Sequence, residues 1–386
     1  MKSKGITWAQ VGARRQDRQF LANPAPAVTP VAEVVAALRG AHAQVMSAAE
    51  LSVGIRAADI TRADVRAALW EERSLVRTYG PRGTVHLLDS RELPLWCSAL
   101  PAVPTAAGPL PPGIRLDGER TAQVLHAIGD ALTGPCLTVD ELGEAVVART
   151  GAWAGERVMP AFQELWPRWR TVLHLAGQSG AVCFGPDRGR RTTYTRPPLF
   201  TPLPPREALR LLVRRHLRAY GPATPAHFAK WLAASPGWAG GLFAALADEG
   251  EIEEVVCEGT RAWVVAGDTE FPEGPVRGVR LLPYFDAYGI AAQPREVLFP
   301  GRARERALSR GQAGNHPLLL VDGVVAGVWH QRRRGRRVTV TVEPLGTLTA
   351  RQERELAEQA ERVAAVGEAA GGAELVMGEV TVGPHA

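Results

Sequence analysis

The sequence predicts an α+β protein in which three tandem helix-turn-helix units, each closed by a β-hairpin, precede a small β-barrel. Three observations predict it. Proline-rich stretches at 101–113, 196–207 and 271–275 punctuate the chain, and none of them can continue a helix or a central strand. The segments around the first two repeat one order of helical and extended runs. After the third stretch the pattern changes to strand-like runs with a single amphipathic helix. The expected divisions are 1–110, 111–200, 201–272 and 273–386.

In the first unit, PAVTPVAEVVAALRG reads as a helical run, AHAQVMSAAELSVGIR as a link followed by a second helix from Ser47, RADVRAALWEERS as a third helix, and SLVRTY and GTVHLL as strands around GPRG. The second offers TAQVLHAIGDALTG, PCLTVDELGEAVVART and ERVMPAFQELW as helices, with TVLHLAG and AVCFG extended. The third offers REALRLLVRRHLRAYG, PATPAHFAKWLAA and GWAGGLFAALADEG, then EIEEVVCEG and TRAWVVAG. Ser47, Thr138 and Thr224 open the second helix of each, with Glu50, Glu141 and His227 three positions on. The first two pairs read as capping boxes, and Pro225 favours a helix start in the third. Three such units in register are the winged-helix plan repeated. Beyond 276, VRLLPYFDAYGI, HPLLLVDGVVAGVWH and RRVTVTVEPL read as strands, TARQERELAEQAERVAAVG as a helix and AELVMGEVTV as a closing strand.

Charge narrows the function class. The 386 residues carry a formal +5, and lysine occurs only at positions 2, 4 and 230, so nearly every cation is arginine. Coding bias in a GC-rich genome accounts for that composition, so position matters more than number. Arg62, Arg66 and Arg73 fall on the expected third helix of unit one, and Arg82 at its wing tip. Arg332, Arg333, Arg334, Arg336 and Arg337 surround Gly335 at the expected tip of a hairpin. Five like charges at one tip repel one another, and phosphates would relieve that repulsion.

Chemistry-bearing signals are sparse. Glycine fingerprints for nucleotides, phosphate loops and metal-ligand spacings are missing, and the four cysteines are scattered, which suits free thiols in a cytoplasmic protein. No metal, no cofactor and no membrane span is expected. His174, alternating in an expected strand, His227 and His385 read as ordinary histidines. The exception is the link Gly40-Ala41-His42-Ala43-Gln44-Val45-Met46. If extended, it projects residues two apart to one side, whereas a helix would turn them by about 200°. His42 and Gln44 would then present an imidazole and an amide together; alternatively they bond only neighbouring backbone.

Several segments, in this order, carry a resemblance: GAHAQVMSAAELSVGIR, LVRTYGPRGTVHLL, RHLRAYGPATPAHFAKW, LLPYFDAYG and LLLVDGVVAGVW. Over nearly its full length the chain resembles the AlkZ-type winged-helix DNA glycosylases, a bacterial family of tandem winged helices followed by a β-barrel. The family's glutamine–apolar–glutamine (or aspartate) motif falls on His42-Ala43-Gln44, with histidine here at the first position. The resemblance implies hydrolysis of the N-glycosidic bond of alkylated purines, including bulky N7-alkylguanine adducts and crosslinks, in repair or toxin self-resistance. It implies His42 and Gln44 as the residues that position or activate water, and double-stranded DNA with alkylated bases as the partner. His86 also matches a recurrent family histidine, and packing on a wing strand is its expected role. Three units in one chain suit a monomer embracing one DNA site. The competing readings are a non-catalytic winged-helix DNA-binding protein, a repressor or lesion-sequestering module, and a partner-binding adaptor.

Overall fold

A computed structural model describes residues 5–104, 111–161 and 164–383. Among them no helix is long and apolar enough to cross a membrane. The fold is α+β, with its strands gathered into five small sheets.

The chain begins with a helix outside the three repeated patterns, α1 (Trp8–Arg18), started by a Thr7–Gln10 capping box. It joins unit three to the C-terminal part: Arg14, Arg18 and Arg218 all bind Asp268, and Gln16 donates to the Tyr288 hydroxyl at 3.1 Å. Unit one follows as α2 (Val31–Ala37), β1 (Ala41–His42), α3 (Met46–Gly54), α4 (Arg62–Trp70), β2 (Leu75–Tyr79) and β3 (Val85–Asp89). The strands order β1-β3-β2, so the expected hairpin gains a third strand from the link before α3. The Ser47–Glu50 capping box does not form. The N-cap of helix α3 lies two residues earlier, at Val45, with no side-chain cap, and buried Glu50 instead accepts from Arg66 at 2.6 Å. A charge partner outweighs a local cap for a carboxylate this deeply buried.

Helix α5 (Leu93–Ala99) is a further element outside the repeated patterns, and it leaves unit one to share a core with unit three. Unit two comprises α6 (Gly118–Ala131), β4 (Leu137–Thr138), α7 (Val139–Thr150), β5 (Arg157–Pro160), β6 (Leu165–Pro167), α8 (Leu173–Gln178), β7 (Cys183–Arg188) and β8 (Arg191–Thr195). Its Thr138–Glu141 capping box is present. Two expectations fail here. The run expected as a third helix is the β5–β6 hairpin, because Pro160 would remove a helix hydrogen bond and clash one turn back. The run TVLHLAG, expected as a strand, ends in helix α8, so His174 is helical; a short apolar run does not distinguish the two.

Unit three matches its expected order: α9 (Pro205–Tyr220), α10 (Pro225–Leu232), α11 (Pro236–Asp248), β9 (Ile252–Cys257) and β10 (Thr260–Val265). Thr224 and His227 form a reciprocal cap, His227 Nδ1 accepting from the Thr224 amide at 3.3 Å.

The C-terminal part contains β11 (Val279–Leu282), α12 (Ala287–Ala291), α13 (Arg295–Leu298), α14 (Arg302–Ala307), β12 (Leu318–Val321), β13 (Val324–Arg334), β14 (Arg337–Pro344), α15 (Ala350–Val366) and β15 (Ala373–Met377). Its strands run β11-β12-β13-β14-β15, antiparallel except for the last pair, which is parallel. Where a small β-barrel or curled sheet is expected, the described residues form one five-stranded sheet with β11 and β15 at its edges. Helix α15 enters between β14 and β15, and that crossover makes the last pair parallel while its apolar face fills the core. Unit one docks on this module. Leu51 and Ile55 of α3 join its core, and Arg362 of α15 donates to the carbonyls of Gly54, Ala57 and Ile60 at 2.6–2.8 Å.

Candidate active site

The end of α2 sets the site. Arg39 and Gly40 both take left-handed backbone, turning the chain out of the helix into β1. Only glycine fits at 40, where a Cβ would stand 2.9 Å from the Leu88 side chain. Arg39 is held by Glu92 at 2.9 Å. Strand β1 pairs antiparallel with β3, Ala41 opposite Leu87 and His42 opposite His86. The ladder runs on as the Ala43 amide donates to the Val85 carbonyl at 2.7 Å, and the Ala43 carbonyl accepts from Arg77 at 3.1 Å. The backbone is therefore extended and held through residue 43. Gln44 follows in an exposed bend, just ahead of α3.

His42 and Gln44, expected to work side by side, sit in different surroundings. His42 is only 7% exposed. One face stacks on Phe285 at 4.8 Å and 27°, and His86 meets it edge-on at 5.2 Å and 69°. Its Nδ1 is sealed from solvent with no hydrogen-bond partner among the described residues. Burial, reinforced by the charge of Arg82, pushes the His42 imidazole down to about 4, so it is neutral at neutral pH.

Phe285 is a site residue that the sequence does not announce, and its placement rests on a buried ion pair. Asp286 receives two hydrogen bonds from the Arg56 guanidinium, at 2.7 and 2.8 Å, and one from Ser52 at 2.6 Å, and it accepts from the Tyr288 amide at 3.0 Å. That anchors the turn to α3, and Phe285, at φ 56, leans on His42. A bulky residue in left-handed backbone persists only where its surroundings over-determine it. The run LLPYFDAYG is visible in sequence, but nothing in its spacing ties it to a histidine more than 240 positions away.

Of the arginines expected on DNA, Arg82 is placed differently. It lies in the turn Pro81–Gly83 with its side chain inward, donating to the Trp231 carbonyl at 2.9 Å and lining a small cavity beside His42. The wing tip folds back onto α10 instead of projecting. Arg62 binds Glu368 at 2.6 Å, and Arg66 binds Glu50 while staying about half exposed. Arg73 bonds the Arg196 carbonyl. Arg332, Arg333, Arg334, Arg336 and Arg337 all stand exposed at the β13–β14 tip. Arg333 reaches the carbonyls of Gly367 and Glu368, so Glu368 brings this tip beside Arg62 of α4. Among the described residues no group of three or more His, Cys, Asp or Glu side chains is arranged to hold a metal ion.

The family model for AlkZ-like DNA glycosylases matches residues 35–366, a span that contains β1, the FDAYG turn and the arginine hairpin. The chain belongs to the AlkZ-like DNA glycosylase family. It is an enzyme of that family, a DNA glycosylase. The interstrand DNA cross-link repair glycosylase of Streptomyces sahachiroi is 33% identical over 336 residues, covering 84% of this chain and 87% of that protein. The solved structure of the Streptomyces sahachiroi DNA glycosylase AlkZ superposes with a TM-score of 0.77 at 28% identity, covering 96% of this chain and all of that one. Within this AlkZ-like chain, the segment His42-Ala43-Gln44 places a buried imidazole two residues before an exposed amide.

Proposed function

We propose that this AlkZ-like glycosylase hydrolyses the N-glycosidic bond of alkylated purines in duplex DNA, with bulky N7-alkylguanine adducts or crosslinks as its substrates. The observation that carries this reading is Gln44. It is an exposed amide at the end of a pinned strand, next to a buried neutral imidazole, in a chain related to a cross-link repair glycosylase.

N7 alkylation leaves the purine cationic, so the glycosidic bond breaks with its electron pair moving onto the base, and no strong acid is required. What remains is to hold a water near the anomeric carbon of an oxocarbenium-like sugar. Gln44 accepts from that water through its amide oxygen and orients it. His42 supports the same water from behind, neutral and fixed by Phe285 and His86. The water adds to the anomeric carbon and releases its proton to solvent. The three units act as winged helices clasping one DNA site in a monomer. Arg62, Arg66 and the five arginines of the β13–β14 tip contact phosphates, consistent with exposed cations gathered on one side of unit one. An exposed amide in the bend just beyond an edge strand suits adducts too bulky for a base pocket, so the base stays unflipped; a complex with the base swung out would sink that part.

The deciding experiment is base release from duplexes carrying one methyl or one bulky N7-alkylguanine, scored as strand breakage at the abasic sites. Lesion-dependent release by the wild type, lost in Gln44→Ala and reduced in His42→Ala, supports the reading. Tight binding with every lesion left intact replaces it with a sequestering role.

A further inference from the structure

Behind His42 lies a cavity of about 10 Å³, room for a single water, lined by Gly40, His42, Arg82, His86, Tyr220 and Trp231. The groups around it have defined hydrogen-bonding valences. His86 Nδ1 lies 2.8 Å from the Thr84 carbonyl oxygen. A carbonyl only accepts, so Nδ1 carries the proton, and on a neutral ring Nε2 can then only accept. His86 is neutral because burial, with His42 and Arg82 adding to it, holds it well below its ordinary value. The ring packs against Gly80, where a Cβ would stand 2.8 Å from its Nδ1. Arg82 has donors only, five of them, and one guanidinium nitrogen is engaged by Trp231. Tyr220 spends its proton on the Leu38 carbonyl at 2.8 Å. His42 Nδ1 is the member with no partner.

These valences fit one arrangement. A water in the cavity accepts from Arg82 and donates one proton to His86 Nε2 and the other to His42 Nδ1. We propose that Arg82 and His86, through this water, are positioning residues that fix His42 as the tautomer protonated at Nε2. The imidazole then meets the reaction as a hydrogen-bond donor and not as a base. It stabilises an oxygen lone pair of the attacking water or of the DNA, while the acceptor role stays with Gln44. The inward turn of Arg82 thereby has a purpose: it supplies a donor to the water in a chamber whose other guanidinium, Arg39, is tied to Glu92 at 2.9 Å. The assignment rests on the His42–Gln44 motif as the active site only for its catalytic consequence, not for the hydrogen-bond pattern itself.

The test is the ¹⁵N spectrum of the histidine rings in the DNA-free protein at pH 7, with His42 and His86 assigned by their glutamine variants. His42 is expected to show a pyridine-type Nδ1 and a pyrrole-type Nε2, and His86 the reverse. In Arg82→Met the pattern of His42 moves towards the average of two exchanging tautomers, whereas Arg82→Lys, which keeps a donor, retains the wild-type pattern. On alkylated duplex DNA, Arg82→Met lowers kcat about tenfold, the scale of one supporting hydrogen bond, with KM unchanged, and Arg82→Lys recovers it. A wild-type His42 protonated at Nδ1 overturns the assignment, as does a His42 pattern indifferent to Arg82→Met. The two readings fail separately. Correct tautomers with no base release leave the assignment standing and remove the proposed function; base release with the opposite tautomer does the converse.

Discussion

Arg82 and the arginines of the β13–β14 tip share a residue type and a hairpin location, and they face opposite environments. Arg82 turns under α10, bonded to a main-chain carbonyl, and its charge acts on two buried histidines. The tip arginines stand in solvent, with Arg333 alone among them bonding main-chain carbonyls of another segment. The difference teaches that a charge at a hairpin tip has no role until burial assigns one. A cation that has been partly desolvated acts strongly on close neighbours, while one in solvent acts on whatever anion arrives, and salt screens it. The interior cluster should therefore respond to single substitutions and the outer one to their sum.

The largest expected effect is inside. Asp286→Ala leaves Arg56 buried without its counter-charge and frees the turn that carries Phe285. Removing one member of a buried pair costs about 3–5 kcal/mol, so thermal unfolding should show a large loss of stability. A variant as stable as the wild type would show that this pair is not what holds the turn. Next comes Gln44→Ala, expected to lower base release roughly 100-fold or more, the lower range for losing a group that manages the reacting water. Because Gln44 is exposed and outside every core, its thermal stability should stay near wild type; a stability loss matching the activity loss would recast it as structural.

The outer cluster is tested by replacing Arg332, Arg334, Arg336 and Arg337 together with alanine. Affinity for duplex DNA should fall at low salt, and the slope of log affinity against log salt should shrink by about 0.9 for each phosphate no longer neutralised. Wild-type folding and wild-type activity on bound substrate are expected alongside. An unchanged salt slope would move the DNA to another face of the molecule.

How much of this is legible in the sequence follows the same division. Local chemistry is readable: the Thr138 and Thr224 starts, the helix order of unit three, and the arginine hairpin all come from neighbours a few residues apart. The extended backbone at His42 is readable from the two-residue spacing, while the bend that carries Gln44 is not. What fails depends on distant partners. Ser47 and Glu50 spell a cap, but Arg66 sits within reach of the carboxylate. Arg82 spells a wing tip, but α10 lies beneath it. Phe285 and Asp286 gain their places only because α3 docks against the C-terminal sheet. The β5–β6 hairpin is hidden despite a local clue, Pro160, which a helical apolar pattern outweighs.

The smallest expected effect is an absence of change, and it separates the two clusters most sharply. An ordinary histidine in the reaction would give base release an inflection near pH 6.5. His42 is pushed to about 4, first by burial and then by Arg82, while His86, itself neutral, and Phe285 close two of its sides. Its neutral form is therefore complete above about pH 5 and is lost only as the pH falls through about 4. Single-turnover base release from a stable N7-alkylguanine duplex should then be flat between about pH 8 and 5.5 once spontaneous depurination is subtracted. A sigmoid centred near 6.5 and abolished by His42→Gln would mean that the imidazole opens to solvent in the DNA complex, and that the interior cluster becomes part of the outer surface during catalysis.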